Sequence, residues 1–350
     1  MDKFLSYKIR AISFWAILLV VFLHAYNLDT KQQGIILTFP KSYNWFIQNL
    51  ISNGLTRVAV PLFFIISGYL FFIKFDQNAP NYSSKIFKRI KSLFVPYIIC
   101  SLLGIIFYLI LQSIPATQSF FTKQRVVDYD LLTLIKTIFI TPIPYQLWFI
   151  RDLFVIVLFS KVWYELLKNL KWGLLTPVLL LWLCDFESFN NALEALLFFL
   201  TGSYIALYSK STTTYIGKQR TVYFLFIWAV FLLAKTGFLY FNASSILVIF
   251  LQKMSILTGL IAVWNGYDYL SNNKQTNSSW YGITFFIYIF HEPLLTFFKK
   301  GLFFALGISE SQYLLVYFVA PILTLGLIYL MGQFFKKNFT FIYEIITGGR

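Results

Sequence analysis

Histidine occurs twice in this chain of 350 residues, as His24 and His291, and both lie inside apolar runs. Imidazole exchanges protons near neutral pH, so a histidine in such a run is a candidate acid or base. The other ionisable groups within or bordering apolar runs are Arg57, Arg151, Asp152, Glu194, Lys235, Lys253 and Glu292. A charge there is costly and is retained when it is paired or put to use. Arg57, Glu194 and Lys235 stand near run ends, where paired or interface-seeking ions are the plainer reading. Arg151 and Asp152 are adjacent and are open equally to a structural and a functional role.

The elements that must position these groups are membrane-spanning helices. Segments of the length a bilayer demands, about 20 mostly apolar residues, recur near 11–27, 57–74, 93–112, 145–163, 172–184, 193–208, 221–240, 245–267, 281–298 and 313–335. The pattern predicts an all-α integral membrane protein, a bundle of about ten transmembrane helices forming a single domain over 1–350. The stretch from Tyr43 to Thr56 reads as lying on the membrane surface. A short interfacial helix is expected around Leu131–Ile140, within the long loop from Pro115 to Tyr145.

Loop charges set the orientation. Lys3, Lys8 and Arg10 precede the first run, and Lys74, Lys85, Lys88, Arg89 and Lys91 precede the third. Lys161, Lys168 and Lys171, then Lys210, Lys218 and Arg220, and finally Lys336 and Lys337 fall on the same side. The opposite loops carry Asp128, Asp130, Asp185 and Glu187, against Lys123, Arg125, Lys299 and Lys300. The balance puts both termini in the cytoplasm. On that topology His24, Arg57, Arg151, Asp152, Glu194, His291 and Glu292 all belong to the outer half of the membrane.

Composition excludes other classes. The chain is 58% hydrophobic and only 12% charged, where a soluble domain carries about a quarter charged residues. Its mean hydropathy is +0.69. A net charge of +15 would suggest nucleic acid in a soluble protein, but here the cations sit in short loops and meet lipid headgroups. No nucleic-acid partner is expected. Cys100 and Cys184 lie in apolar runs and read as packing residues; without a Cys/His cluster no metal is expected.

Five strings give the chain a resemblance. The first run reads RAISFWAILLVVFLHAYN from Arg10 to Asn27, and the second RVAVPLFFIISGYLFF from Arg57 to Phe72. KRIKSLFVPY runs from Lys88 to Tyr97, PYQLWFIRDLF from Pro144 to Phe154, and TFFIYIFHEPLL from Thr284 to Leu295. In this order they resemble the acyltransferase 3 family of membrane acyltransferases, which includes O-acetyltransferases of surface glycans. The resemblance covers nearly the whole chain.

It implies a multi-pass acyltransferase of the cytoplasmic membrane that takes acyl-CoA, most simply acetyl-CoA, as cosubstrate rather than a bound cofactor. The acceptor would be a hydroxyl of a glycan or lipid-linked sugar, approached from the outer leaflet. His24 matches the family's first-helix histidine and is favoured over His291, though the residues alone do not rank the two. Arg10 matches the first-helix arginine at a spacing about one turn longer than usual. Lys88, Arg89 and Lys91 match a cytoplasmic basic cluster suited to coenzyme phosphates. Arg57, Trp148 and Arg151 are then candidate donors to an oxyanion or to the sugar, and Tyr69 is a further candidate substrate contact. Asp152 or Glu292 would orient a histidine. Arg10 to His24 is 14 positions (24 − 10), roughly 20 Å of helix, a span an extended pantetheine arm matches. A transporter or flippase of a lipid-linked sugar is the rival reading, since it too would place polar groups inside an apolar bundle.

Overall fold

The structure, a computed structural model, describes residues 3–28, 31–32, 35–36, 41–73, 80–118, 121, 124–185, 190–209, 215–271, 278–307 and 309–349. Lys74, Lys123, Glu187 and Lys210, named above for their charges, lie outside these residues. The described chain is helical apart from a two-residue antiparallel pair, β1 (Lys31–Gln32) with β2 (Ile35–Ile36). In order the helices are α1 (Lys3–Ala25), α2 (Tyr43–Ser52), α3 (Ala59–Phe72), α4 (Pro80–Arg89), α5 (Val95–Ser113), α6 (Pro115–Gln118), α7 (Leu131–Phe139) and α8 (Trp148–Leu158). They continue as α9 (Ser160–Leu170), α10 (Trp172–Leu183), α11 (Asn190–Tyr208), α12 (Lys218–Tyr240), α13 (Ser245–Ser271), α14 (Thr284–Leu306), α15 (Glu310–Asn338) and α16 (Thr340–Thr347).

Among the described residues eight segments are long and apolar enough to cross a membrane, or nine if one bent pair counts as a span. The sequence pattern suggested about ten. The difference lies at 145–163 and 172–184. Helix α8 has 11 residues and α10 has 12; at ~1.5 Å per residue each covers roughly 16–18 Å, short of a hydrocarbon core of about 30 Å. The chain leaves the helical path at Phe159, and α9 meets α10 at 110°. Lys171 makes that turn with φ 47°, a conformation non-glycine residues adopt sparingly.

Helix α1 runs through the middle of the bundle, packing on α3, α14, α15 and α2. The tightest approach is between α3 and α11. A Cβ on Gly68 would stand 2.1 Å from the Phe199 carbonyl oxygen, and one on Gly202 would stand 2.0 Å from that of Ile65. Gly68 is therefore a packing residue: without side chains the two backbones touch.

The stretch expected on the membrane surface turns inward instead. Ser42 caps α2 by accepting from Trp45 N, and Asn44, Gln48, Asn49 and Ser52 on α2 are buried. Gln48 Nε2 donates to Asn27 Oδ1 (2.9 Å) and Asn44 Oδ1 (2.8 Å). Ser52 Oγ donates to Phe22 O (2.7 Å) and lies 2.8 Å from Tyr317 Oη. This polar knot fixes the C-terminal end of α1 against α2 and α15, because each buried amide and hydroxyl needs a partner. Helix α7 forms where expected; the Asp130 carboxylate accepts from Thr133 N at 2.8 Å.

At the other end of α1, Lys8 is buried and its Nζ lies 2.5 Å from Asp268 Oδ2 and 4.1 Å from the Trp264 ring centroid. The lysine read above as a topology-setting charge thus ties α1 to α13. Cys100 is buried, whereas Cys184 is exposed.

Candidate active site

The two histidines, 267 positions apart in sequence (291 − 24), meet: their ring centroids lie 5.3 Å apart. His24 comes from the last turn of α1 and His291 from the middle of α14. Between them and the bulk stands Tyr145, in the single turn of 3-10 helix (Tyr145–Leu147) before α8.

Pro293 sets this geometry. Proline has no N–H, so it leaves the carbonyl four residues earlier without its helical donor. That carbonyl belongs to Ile289, and Gln146 Nε2 donates to it at 3.1 Å. Tyr288 Oη donates back to Gln146 O at 2.5 Å. The two bonds clamp the 3-10 turn onto α14 and carry Tyr145 to the histidines.

The hydrogen bonds then define the proton positions. Tyr145 Oη donates to Glu292 Oε1 (2.9 Å). Its single proton being used there, the phenol oxygen accepts from His24 Nδ1 at 2.7 Å. Thr296 Oγ1 donates to the other carboxylate oxygen (3.0 Å), and Lys299 Nζ donates to His24 O (2.8 Å). So His24, Tyr145 and Glu292 form a relay that leaves the His24 Nε2 lone pair free to take a proton. His291 is fully buried. Its Nδ1 faces the carbonyls of Tyr288 (2.8 Å) and Ile287 (3.1 Å), and must carry hydrogen. Its Nε2 has no hydrogen-bond partner among the described residues. A buried basic nitrogen left open is costly in a structural role and useful in a reacting one.

Below the pair lies a cavity of about 650 Å³. It is bordered by Arg10, Arg89 and Lys336, from α1, α4 and α15, and by Ser278 and Ser279. Phe149 and Tyr288 also line it, and Tyr288 stands 6.4 Å, ring to ring, from His291; neither histidine is itself in the lining. Helix α16 closes one wall. Tyr343 Oη donates to Gly282 O (3.1 Å), and Gly348, at φ 67°, sits where a Cβ would stand 2.6 Å from Ser92 Cα. A π-helical turn, Ile90–Phe94, follows Arg89, a local widening frequent at functional sites.

The structure sorts the residues named from sequence. His24, His291 and Glu292 come together, and Glu292 reaches His24 through Tyr145. Arg57 sits in the 3-10 turn before α3; it is exposed, and its Nη2 donates to Asn53 Oδ1 at 3.0 Å. Trp148 is half-buried in the first turn of α8. Arg10 and Arg89 border the cavity.

Others stand apart. Asp152 does not orient a histidine; it binds its neighbour, with Arg151 Nη2 2.7 Å away, and Arg151 also donates to Ile140 O. This pair fastens α8 to the end of α7. Lys88 and Lys91 are exposed outside the cavity, Lys91 over the Phe87 ring at 4.8 Å. Consecutive helical positions point in different directions, so only Arg89 of the trio faces inward. Tyr69 lines a separate apolar cavity. Glu194 accepts from Trp182 Nε1 (3.2 Å), and Lys253 pairs with Asp185 (2.7 Å); Lys235 donates to Asn53 O (2.8 Å).

Sequence reasoning missed Tyr145, Gln146, Tyr288, Lys299 and Lys336. For the first three the signal was present, as Pro293 directly after His291-Glu292 and a Pro-Tyr-Gln turn ahead of α8, but the partner of an orphaned carbonyl is fixed only in three dimensions.

A multi-pass helical bundle that sets a histidine pair near a cation-bordered cavity is suited to group transfer within a membrane. A family profile described as an acyltransferase domain, acyltransferase 3, matches residues 7–333, and the chain belongs to that family. It is accordingly a multi-pass membrane acyltransferase. No curated protein and no solved structure matches it significantly.

Proposed function

We propose that the chain moves an acyl group, most simply acetyl, from acyl-CoA to a hydroxyl of a glycan or lipid-linked sugar at the outer half of the cytoplasmic membrane. The single observation that carries this reading is one cavity lined both by cations and by a neighbour of the histidine pair. Three cations from three helices line it together with Tyr288, which stands one helical turn before His291, whose ring in turn lies 5.3 Å from that of His24. Such a lining suits a coenzyme whose phosphates stay at the cationic mouth while its thioester reaches inward. The positive-inside balance of the loops supports a cytoplasmic mouth and cytoplasmic termini.

In this reading the acceptor hydroxyl attacks the thioester carbonyl while His24 Nε2 takes its proton. The relay through Tyr145 to Glu292 holds the imidazole in the required tautomer and stabilises the imidazolium, as the third group of a triad does. A tetrahedral oxyanion forms, for which Arg57 is the candidate donor. The C–S bond then breaks, the acyl group stays on the acceptor oxygen, and the coenzyme leaves as a thiol as its sulfur takes the proton from the His24 imidazolium, which returns to the neutral base. His291, with its own Nε2 open, is the second proton carrier. The apolar surroundings limit water attack on the thioester. The whole chain, 1–350, acts as one domain.

The test is acetyl-CoA binding to purified protein. Arg89→Ala combined with Lys336→Ala should weaken binding by about tenfold or more, from the loss of two charge-assisted contacts. Lys88→Ala combined with Lys91→Ala should change it little. Equal effects of the two pairs, or no saturable binding by folded wild-type protein, would overturn the assignment and favour a transporter.

A further inference from the structure

A second cavity, of about 470 Å³, lies between α3, α10, α11 and α13. Its walls are almost wholly hydrocarbon and aromatic, with Leu62, Leu179, Phe198, Leu257 and Leu260 among them. It shares Ile9 and Ile66 with the first cavity, so the two are neighbours at the same end of the bundle, divided by those side chains. The acyl-transfer chemistry proposed above makes no use of it.

Of the polar side chains that line it, Thr176, Thr201 and Asn265 already have partners: the threonine hydroxyls donate to Trp172 O (3.0 Å) and Leu197 O (2.8 Å). Asn265 Oδ1 accepts from Ile216 N (3.3 Å), and its Nδ2 donates to Ile261 O (2.9 Å). A polar ligand would therefore find little to bond within, and an apolar chain would lose nothing by entering. The cavity also reaches the surface: among its lining residues Trp172 is 60% and Ile261 39% exposed. These two stand on α10 and α13. At about 30 Å³ for each water-sized group, the space holds roughly fifteen methylenes, the scale of one lipid chain.

The rim says which lipid. Lys171 immediately precedes Trp172, and Lys218 follows Ile216 by two positions; Trp172 and Ile216 both line the cavity, and both lysines are exposed. Trp172 is fixed by Tyr204, whose ring centroid is 4.3 Å away, and indole rings favour the headgroup level. Two cations from separate elements thus flank an apolar slot at the depth where headgroups sit.

We propose that this cavity holds one acyl chain of an anionic phospholipid, whose headgroup is bound by Lys171 and Lys218. The assignment is independent of the transfer reaction and is read without an activity assay. The full chain is reconstituted in nanodiscs of phosphatidylglycerol with phosphatidylcholine, released into mild detergent, and its retained lipid identified by native mass spectrometry. Wild type should retain a single phospholipid, with phosphatidylglycerol preferred by about tenfold from two surface lysines. Leu257→Trp, which fills the slot, should abolish retention. Lys171→Gln with Lys218→Gln, both at exposed positions that leave the cavity intact, should keep a lipid but lose the preference. Retention of no lipid, of both lipids equally by wild type, of a free fatty acid alone, or an unchanged preference in the double lysine variant would overturn the proposal.

Discussion

Tyr145→Phe removes one oxygen and separates the relay from all other features of the site. In the structure that oxygen accepts from His24 Nδ1 at 2.7 Å and donates to Glu292 at 2.9 Å. Without it the imidazole loses its tautomer-fixing partner, and the charge formed on proton uptake is no longer joined to the carboxylate. Hydrogen bonds to charged groups contribute about 1.5–3 kcal/mol, and each 1.4 kcal/mol is about tenfold in rate. Tyr145 is 49% exposed, so water can partly replace the hydroxyl and the loss should fall toward the lower end. The expected fall in kcat is about tenfold to a hundredfold, with acetyl-CoA binding unchanged. Glu292→Gln acts on the same relay. The Tyr145→Phe/Glu292→Gln double variant should therefore be little worse than the more damaging single change, since coupled groups do not add. The assay is release of coenzyme thiol in the presence of acceptor, measured for all four proteins. Full activity in Tyr145→Phe, or multiplying losses in the double variant, would refute the relay.

Three further outcomes follow from the packing. Gly68→Val must push apart α3 and α11, because the obstacle is the Phe199 backbone; it should destabilise by about 1–3 kcal/mol or more, visible as a lowered Tm in detergent. Lys8→Met leaves the buried Asp268 carboxylate without its cation and should cost about 3–5 kcal/mol, most of it recovered in Lys8→Met/Asp268→Leu; equal Tm for the single and double variants would contradict the pairing. The bonds from Thr133 hold the Asp130 carboxyl below its ordinary value. Its capping of α7 is therefore fully present above the unfolded-state value and fades as pH falls through the lowered one, so hydrogen exchange in α7, corrected for intrinsic rate, should accelerate only in that acid range, and not in Asp130→Asn.

Much of the architecture was legible in sequence because long apolar runs have one physical solution in a bilayer. The errors came where length was marginal. The runs at 145–163 and 172–184 are interrupted by turns at Phe159 and Lys171 that no proline or glycine announces. The stretch from Tyr43 to Thr56 looked superficial because it is rich in Asn, Gln and Ser. Those groups instead bond one another and the end of α1. Of the site, the two histidines and Glu292 were visible because charge in an apolar run is rare. Tyr145 and Gln146 were not, since a tyrosine at the start of an apolar run reads as an ordinary membrane-interface residue. Nor did sequence separate Arg89 from Lys88 and Lys91, a distinction set by helical phase through the π turn.

The central claim is that His24 removes a proton from an acceptor near a cavity that holds acyl-CoA. It is tested most directly by measuring acetyl-CoA binding and coenzyme thiol release together, in wild type and His24→Ala. The account predicts equal binding by both proteins, with thiol release reduced in the variant by about 10²-fold or more. Thiol release that persists at the wild-type rate in His24→Ala would contradict it.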